Sequence, residues 1–156
     1  MVKIEIEGGD VFEKLRQSFQ NVDAHMENNL RKSGVEVVAI IADRVQQKGE
    51  GTDGRLATRA AKRNGAYQQA YALRRAKMGR QTSYVDLTLE GDLFREWDVL
   101  ATSPTEVIVG FRSSRQAQIA QKLEEQYDEP IFNTKTAEQD FVLEGLANRI
   151  RDDLKY

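Results

Sequence analysis

Apolar residues in the first third of the chain recur at intervals of three and four: Val11, Leu15, Phe19, Val22, Met26 and Leu30. That spacing lays a single stripe along a helix. Asp10 followed by Glu13 has the spacing of a capping box at its start. Gly34 interrupts the stripe, which resumes through Val38, Ile41 and Val45. A glycine inside a helix costs about 1 kcal/mol relative to alanine. The pattern therefore predicts either one long helix with a weak point at Gly34 or two helices that meet there. Ahead of this region, Met1 to Glu7 alternates apolar and charged side chains as a strand does. It lacks the apolar core of a secretion signal, so none is expected.

The run from Lys48 to Gly54 is rich in glycine and reads as a loop. Two stretches of helix-forming composition follow, 57–63 and 67–78, split by Asn64-Gly65. They hold few large apolar side chains, so residues 48–84 are read as a mobile arm outside the core. Val85, Leu87 and Leu89 alternate with Asp86, Thr88 and Glu90, as a strand or the approach to a turn. Phe94 to Leu100 and Glu106 to Phe111 form a hairpin around Ser103-Pro104-Thr105, with Val107, Val109 and Phe111 on one face. Ser113 and Gln116 open a helix that carries Ala117, Ala120 and Leu123 on one stripe. Glu129-Pro130 closes it, and Ile131-Phe132 reads as an anchored turn. Thr136 with Gln139 starts a last helix bearing Val142 or Leu143, then Leu146, Ile150 and Leu154. The sum is a single α+β domain over 1–156: a long N-terminal helical region, a small, mainly antiparallel sheet and C-terminal helices.

The composition is that of an ordinary globular domain: 40% of the 156 residues are apolar and 31% charged. No apolar run approaches the roughly 20 residues of a membrane-spanning helix. The absence of cysteine removes disulfides and thiolate chemistry and suits a reducing compartment. The net charge of −2 conceals a division. Arg55, Arg59, Lys62, Arg63, Arg74, Arg75, Lys77 and Arg80 fall in a window without an acid, and the remainder of the chain stands at −10. A positive segment on a negative body attracts either nucleic acid or the negative face of another copy.

Residues able to do chemistry are sparse. His25 is the single histidine and sits within the first helical pattern, where a solvated side chain explains it better than a general base. The serines at 83, 103, 113 and 114 occupy turn-like contexts with no nucleophile elbow. One histidine and no cysteine make zinc implausible. Asp86, Glu90, Asp92, Glu96 and Asp98 are the only acidic cluster with a metal-binding aspect. Glu106-Val107-Ile108 lacks the lysine that a common nuclease pattern places two residues after the acid, and the wet face of a strand accounts for the acids. The glycine-rich loop fits neither a phosphate loop nor a calcium loop and reads as a hinge. Tyr67, Tyr71 and Tyr84 among arginines offer base stacking or, more simply, packing on a neighbour. Trp97 reads as core, with a subunit-contact anchor as the alternative.

Tyr71-Ala72-Leu73-Arg74-Arg75-Ala76-Lys77-Met78-Gly79-Arg80-Gln81, followed by Val85-Asp86-Leu87-Thr88-Leu89-Glu90-Gly91-Asp92-Leu93, resembles the neck and tail-completion proteins of tailed bacteriophages. Trp97-Asp98-Val99-Leu100, Val107 to Phe111 and Ile119 to Tyr127 with Ile131-Phe132 extend the resemblance over residues 67 to 133. Glu90 stands where that family has threonine. The resemblance implies a virion structural protein, made in the host cytoplasm, at the head–tail junction. It implies a ring of six or twelve copies between portal and tail tube that meets neck, portal-adaptor or tail-tube proteins and lets DNA pass. It implies no catalysis and no cofactor, and leaves adaptor, stopper and tail-terminator layers equally open. The eight basic residues would then face DNA or a neighbour. Two other readings compete: a non-specific DNA-binding accessory protein using residues 55–80, and a metal-dependent nuclease using Asp86 to Asp98.

Overall fold

The computed structural model describes residues 9–57, 66–88 and 90–155. The strand expected at Met1 to Glu7 and most of the helical stretch expected at 57–63 lie outside the described residues.

Helix α1 runs without a break from Gly9 to Asp43 and continues into a π-helical turn, Arg44–Lys48. At 1.5 Å per residue α1 is about 52 Å long. Gly49 ends it in the left-handed region at φ 65°, and its N–H donates to the Val45 carbonyl at 3.0 Å. Asp10 falls inside this helix rather than before it, and Glu13 pairs with Arg16 at 2.9 Å. Gly34 proves to be a point of close approach. A Cβ there would lie 2.6 Å from a Val107 methyl and 2.9 Å from a Val99 methyl. The missing side chain lets α1 seat against the hairpin, and packing of the helix on the sheet outweighs the propensity cost.

The hairpin pairs β1 (Trp97–Thr102) with β2 (Val107–Phe111), antiparallel, with Trp97 opposite Phe111 and Val99 opposite Val109. The register shifts between Val99 and Ala101, which leaves Leu100 as the extra residue of a bulge. Three further helices are α2 (Gln69–Lys77), α4 (Ser114–Tyr127) and α5 (Thr136–Asp153), with a single turn, α3 (Asp92–Arg95), ahead of β1. This is the α+β class that the pattern predicts. Residues 84–88 form a loop, with Leu87 at φ 52° and the Thr88 N–H donating to Asp86 Oδ1 at 2.9 Å. The approach to a turn is thus the correct alternative there. Ser113 takes the N-cap position of α4 without a side-chain cap bond. The cap of α5 lies one residue ahead of the expected one: the Lys135 N–H donates to Glu138 at 2.8 Å.

Helix α5 lies antiparallel to α1, fixed by three polar ties. Arg44, 2% exposed, pairs with Glu138 and donates to the Ile131 and Asn133 carbonyls at 2.6 and 2.8 Å. Arg149 reaches Glu36 at 2.7 Å and Ser33 at 2.7 Å. His25 Nδ1 and Asn29 meet the Asp153 carboxylate at 2.9 and 2.6 Å. Between Val142 and Leu143, the residue buried is Val142; Leu143 is exposed.

The central core comprises Val45, Leu56, Tyr67, Val85 and Ile131. This corrects the placement of residues 48–84 outside the core, as far as they are described. Few large aliphatic residues are needed because one leucine, one tyrosine and a buried ion pair supply the anchors. The glycine-rich loop is tied down as well. The Asp53 and Gly54 N–H groups donate to Glu129 Oε1 at 2.7 and 3.1 Å, and the Thr52 N–H to the Pro130 carbonyl at 3.1 Å.

Candidate functional site

Helix α2 presents its basic residues in two ways. Arg75 points inward and is 1% exposed. Its Nη2 lies 2.8 Å from both oxygens of Asp86, its Nη1 donates to the Thr88 carbonyl at 2.8 Å, and its Nε donates to the Gln81 carbonyl at 3.0 Å. The guanidinium carbon stands 4.5 Å from the Tyr67 ring centroid, a cation–π arrangement. The Asp86 carboxylate also accepts from the Tyr67 hydroxyl at 3.1 Å and from Gln81 Nε2 at 2.7 Å. A buried charge is tolerated only when paired and hydrogen-bonded, and both charges here meet that condition.

Arg75 is therefore a core residue, and its expected role facing DNA or a neighbour does not survive: the whole guanidinium is spent inside the chain. Arg74, Lys77 and Arg80 are exposed, the first two on the last turn of α2, where positive charge complements the helix dipole. Arg55 is exposed and donates to the Ser83 carbonyl at 3.1 Å. Arg59, Lys62 and Arg63 lie outside the described residues. Arg74 and Lys77 thus lie on the last turn of α2, Arg80 three residues beyond its end, and Arg55 reaches the loop that follows, at Ser83.

The tyrosines of the segment pack. Tyr67 meets Tyr71 edge to face at 5.3 Å between centroids, and the Tyr84 hydroxyl donates to the Gln46 carbonyl at 3.0 Å. Between α2 and α4 lies a cavity of about 1040 Å³, with Tyr67, Tyr71, Leu123, Tyr127, Glu90 and Arg115 among its walls. Burial pushes the Tyr127 hydroxyl up to about 12 and raises that of Tyr67 as well, so both stay neutral near pH 7.

Three of the five acids weighed for metal binding are engaged with bases. Asp86 holds Arg75, Asp92 holds Arg95 at 2.9 Å, and Asp98 pairs with Arg112. Among the described residues no three His, Cys, Asp or Glu side chains converge as a metal site. Trp97 is 7% exposed and packs against Phe111 and Phe132 with centroids 4.9 and 5.5 Å apart. That is the core alternative of the two read from sequence.

Sequence reasoning missed the Arg75–Asp86 network. Its one legible signal was a lone acid soon after a run of bases, flanked by Tyr67 and Gln81, which together supply donors for a buried carboxylate. It also missed the exposed apolar side chains of α1: Val11, Leu15 and Phe19 stand 57%, 39% and 61% exposed. No protein-family model matches the chain, and neither does any curated protein or solved structure.

Proposed function

We propose that this chain is a structural subunit of a tailed-bacteriophage neck, one of six or twelve copies in a ring that joins the capsid portal to the tail and lets DNA pass. The reading rests first on the resemblance over residues 67 to 133. The observation that carries it is an exposed apolar stripe near the start of α1. Among the described residues, the polar ties between α1 and α5 begin at His25 and Asn29, which face Asp153 at the end of α5. Ahead of them Val11, Leu15 and Phe19 lie four residues apart and are exposed. A contiguous apolar stripe of this kind belongs against another protein surface. A second support is that the motif behind the resemblance turns out to be architecture. Arg75, Gln81, Asp86 and Thr88 build a buried network, which supports a structural use of these residues. The neighbours would be other copies and the adjoining neck, portal-adaptor or tail-tube proteins, and the location the virion.

Arg74, Lys77 and Arg80 support an alternative, a non-specific DNA-binding accessory protein, because an exposed basic end suffices for phosphate contact. Negative-stain microscopy of the purified protein separates the two. Rings of uniform diameter, together with antibody labelling of virions at the neck, are the expected result. A monomer at all concentrations that binds any duplex in a salt-dependent manner would sink the ring in favour of the accessory protein.

A further inference from the structure

We propose that the basic end of α2 of one copy docks into the cavity between α2 and α4 of a second copy, so that subunits join head to tail. The inference rests on the self-assembly proposed above and specifies one of its contacts. The cavity, of about 1040 Å³, is at the upper end of small-ligand pockets and has room for several side chains. Tyr71, Leu123 and Tyr127 contribute apolar wall, and Glu90 and Glu125 stand exposed beside it. Among the described residues neither glutamate has a cationic partner; Glu125 accepts from Gln121 at 3.1 Å. Asp92, also on the wall, is held by Arg95. The bases on the described wall are Arg75, whose charge Asp86 takes up, and Arg115. The balance of charge at the cavity is therefore acidic.

The complement to this cavity is on the other side of the same helix. Leu73 and Met78 are 59% and 44% exposed. Arg74, Lys77 and Arg80 are exposed beside them, and among the described residues none of the three has an acidic partner. A phosphate backbone has no use for the two apolar side chains, which favours a protein occupant over DNA. An apolar surface set among bases matches an apolar cavity edged by acids: burial supplies affinity, and the charges supply orientation and rate. The tyrosine rings accept the aliphatic stems of lysine and arginine and attract their charge. A copy cannot fill its own cavity in this way. Tyr71 and Arg75 face the cavity, and at 3.6 residues per turn Leu73 lies about 160° around α2 from both of them, as Lys77 does from Arg75. Donor and acceptor are thus different surfaces on opposite sides of one helix. Repetition of such a contact generates a ring where the rotation closes and a filament where it does not.

The chain has no cysteine, so each cross-linking position can be introduced singly. Full-length Ala76→Cys, exposed on α2, is mixed with Gln126→Cys, on the cavity wall, and treated with a short thiol-to-thiol cross-linker. Ala147→Cys, exposed on α5, replaces Gln126→Cys in the control. Covalent pairs are expected in the first mixture and not in the control. In parallel, Arg74→Glu/Lys77→Glu and Glu90→Lys/Glu125→Lys reverse the charge of the two surfaces. By light scattering each variant should require at least about tenfold more protein for assembly, with circular dichroism unchanged. An equal mixture of the two should assemble again, because every basic surface then meets an acidic one. If wild type forms rings, both reversed variants form them equally and Ala76→Cys does not pair with Gln126→Cys, the docking is wrong while the ring reading stands. Weakened assembly that mixing fails to rescue would also overturn the docking, as would normal assembly of Arg74→Glu/Lys77→Glu with loss of duplex binding, which would give the basic end to DNA. Cross-linked, rescued chains that form open filaments and never rings would support the docking and overturn the ring. A wild-type chain that stays monomeric and uncross-linked would overturn both.

Discussion

Arg75 and Asp86 hold each other in the interior with one guanidinium nitrogen 2.8 Å from both carboxylate oxygens, in a segment that carries eight bases and no acid before it. Eleven positions separate them, and the loop between is closed by Gln81, whose side-chain amide donates to Asp86 at 2.7 Å and to the Tyr84 carbonyl at 2.8 Å. The pair is thus the clasp that folds the basic segment back onto the core.

Removing one partner leaves the other charged, buried and unpaired, which costs about 3–5 kcal/mol. Arg75→Met and Asp86→Asn should each destabilise the fold by that order, a large part of the 5–15 kcal/mol available to a domain. The double variant Arg75→Met/Asp86→Asn should cost less than the two single changes added together, since no bare charge remains. Urea denaturation of the four proteins completes the cycle. Additive losses would show that the two residues are not coupled.

Gly34 and Gly145 both lie inside helices, and alanine should act oppositely at the two. At Gly145 the nearest atoms to an added Cβ are the ends of Glu36 and Arg149 at 3.4–3.6 Å, ordinary contact, so helix propensity should raise stability by up to about 1 kcal/mol. At Gly34 the same propensity gain meets methyls of Val107 and Val99 below 3.0 Å, and overpacking costs about 1–3 kcal/mol. Gly34→Ala should therefore lower the melting temperature while Gly145→Ala raises it. A rise at both positions would mean that the helix does not seat on the hairpin as described.

Tyr127 sets an alkaline limit. Its hydroxyl titrates near 10 when unfolded and at about 12 in the folded chain because burial disfavours the phenolate. The folded state therefore holds the proton more tightly. The stability it confers is complete below pH 10 and is lost as pH rises from 10 towards 12. Chemical denaturation midpoints should stay flat in this respect up to pH 10 and then fall. Tyr127→Phe should flatten that limb, with Tyr67, also raised, accounting for the remaining slope. An unchanged limb in Tyr127→Phe would remove Tyr127 from the effect.

Arg74, Lys77 and Arg80 are exposed, so replacing all three with glutamine should leave the fold intact at a cost below about 1 kcal/mol. If they contact phosphates, the dependence of duplex affinity on salt should lose about two to three units of log–log slope. If they meet an acidic neighbour, ring formation should weaken instead, and added salt should do the same to wild type, since exposed charges are screened over roughly 8–10 Å. A triple variant that assembles and binds DNA as wild type does would remove this end of α2 from either role.

Periodicity alone determined where α1, the hairpin, α4 and α5 lie, because a three-and-four stripe or a two-residue alternation is written locally in the chain. The same local rules could not say what Gly34 was for. Propensity records its cost to the helix, while the valine methyls that require it come from residues more than sixty positions away. Charge counting likewise found the basic segment but could not divide it. Arg74 and Arg75 are adjacent and chemically identical in sequence. The turn of α2 directs one to solvent and the other onto Asp86 and Tyr67, a partnership that exists only once residues 66–88 have closed on the core. Burial was therefore a tertiary decision at every point where the polar residues of this chain had to choose between water and a partner, because the free energy of a buried charge depends on donors and acceptors brought from elsewhere in the chain.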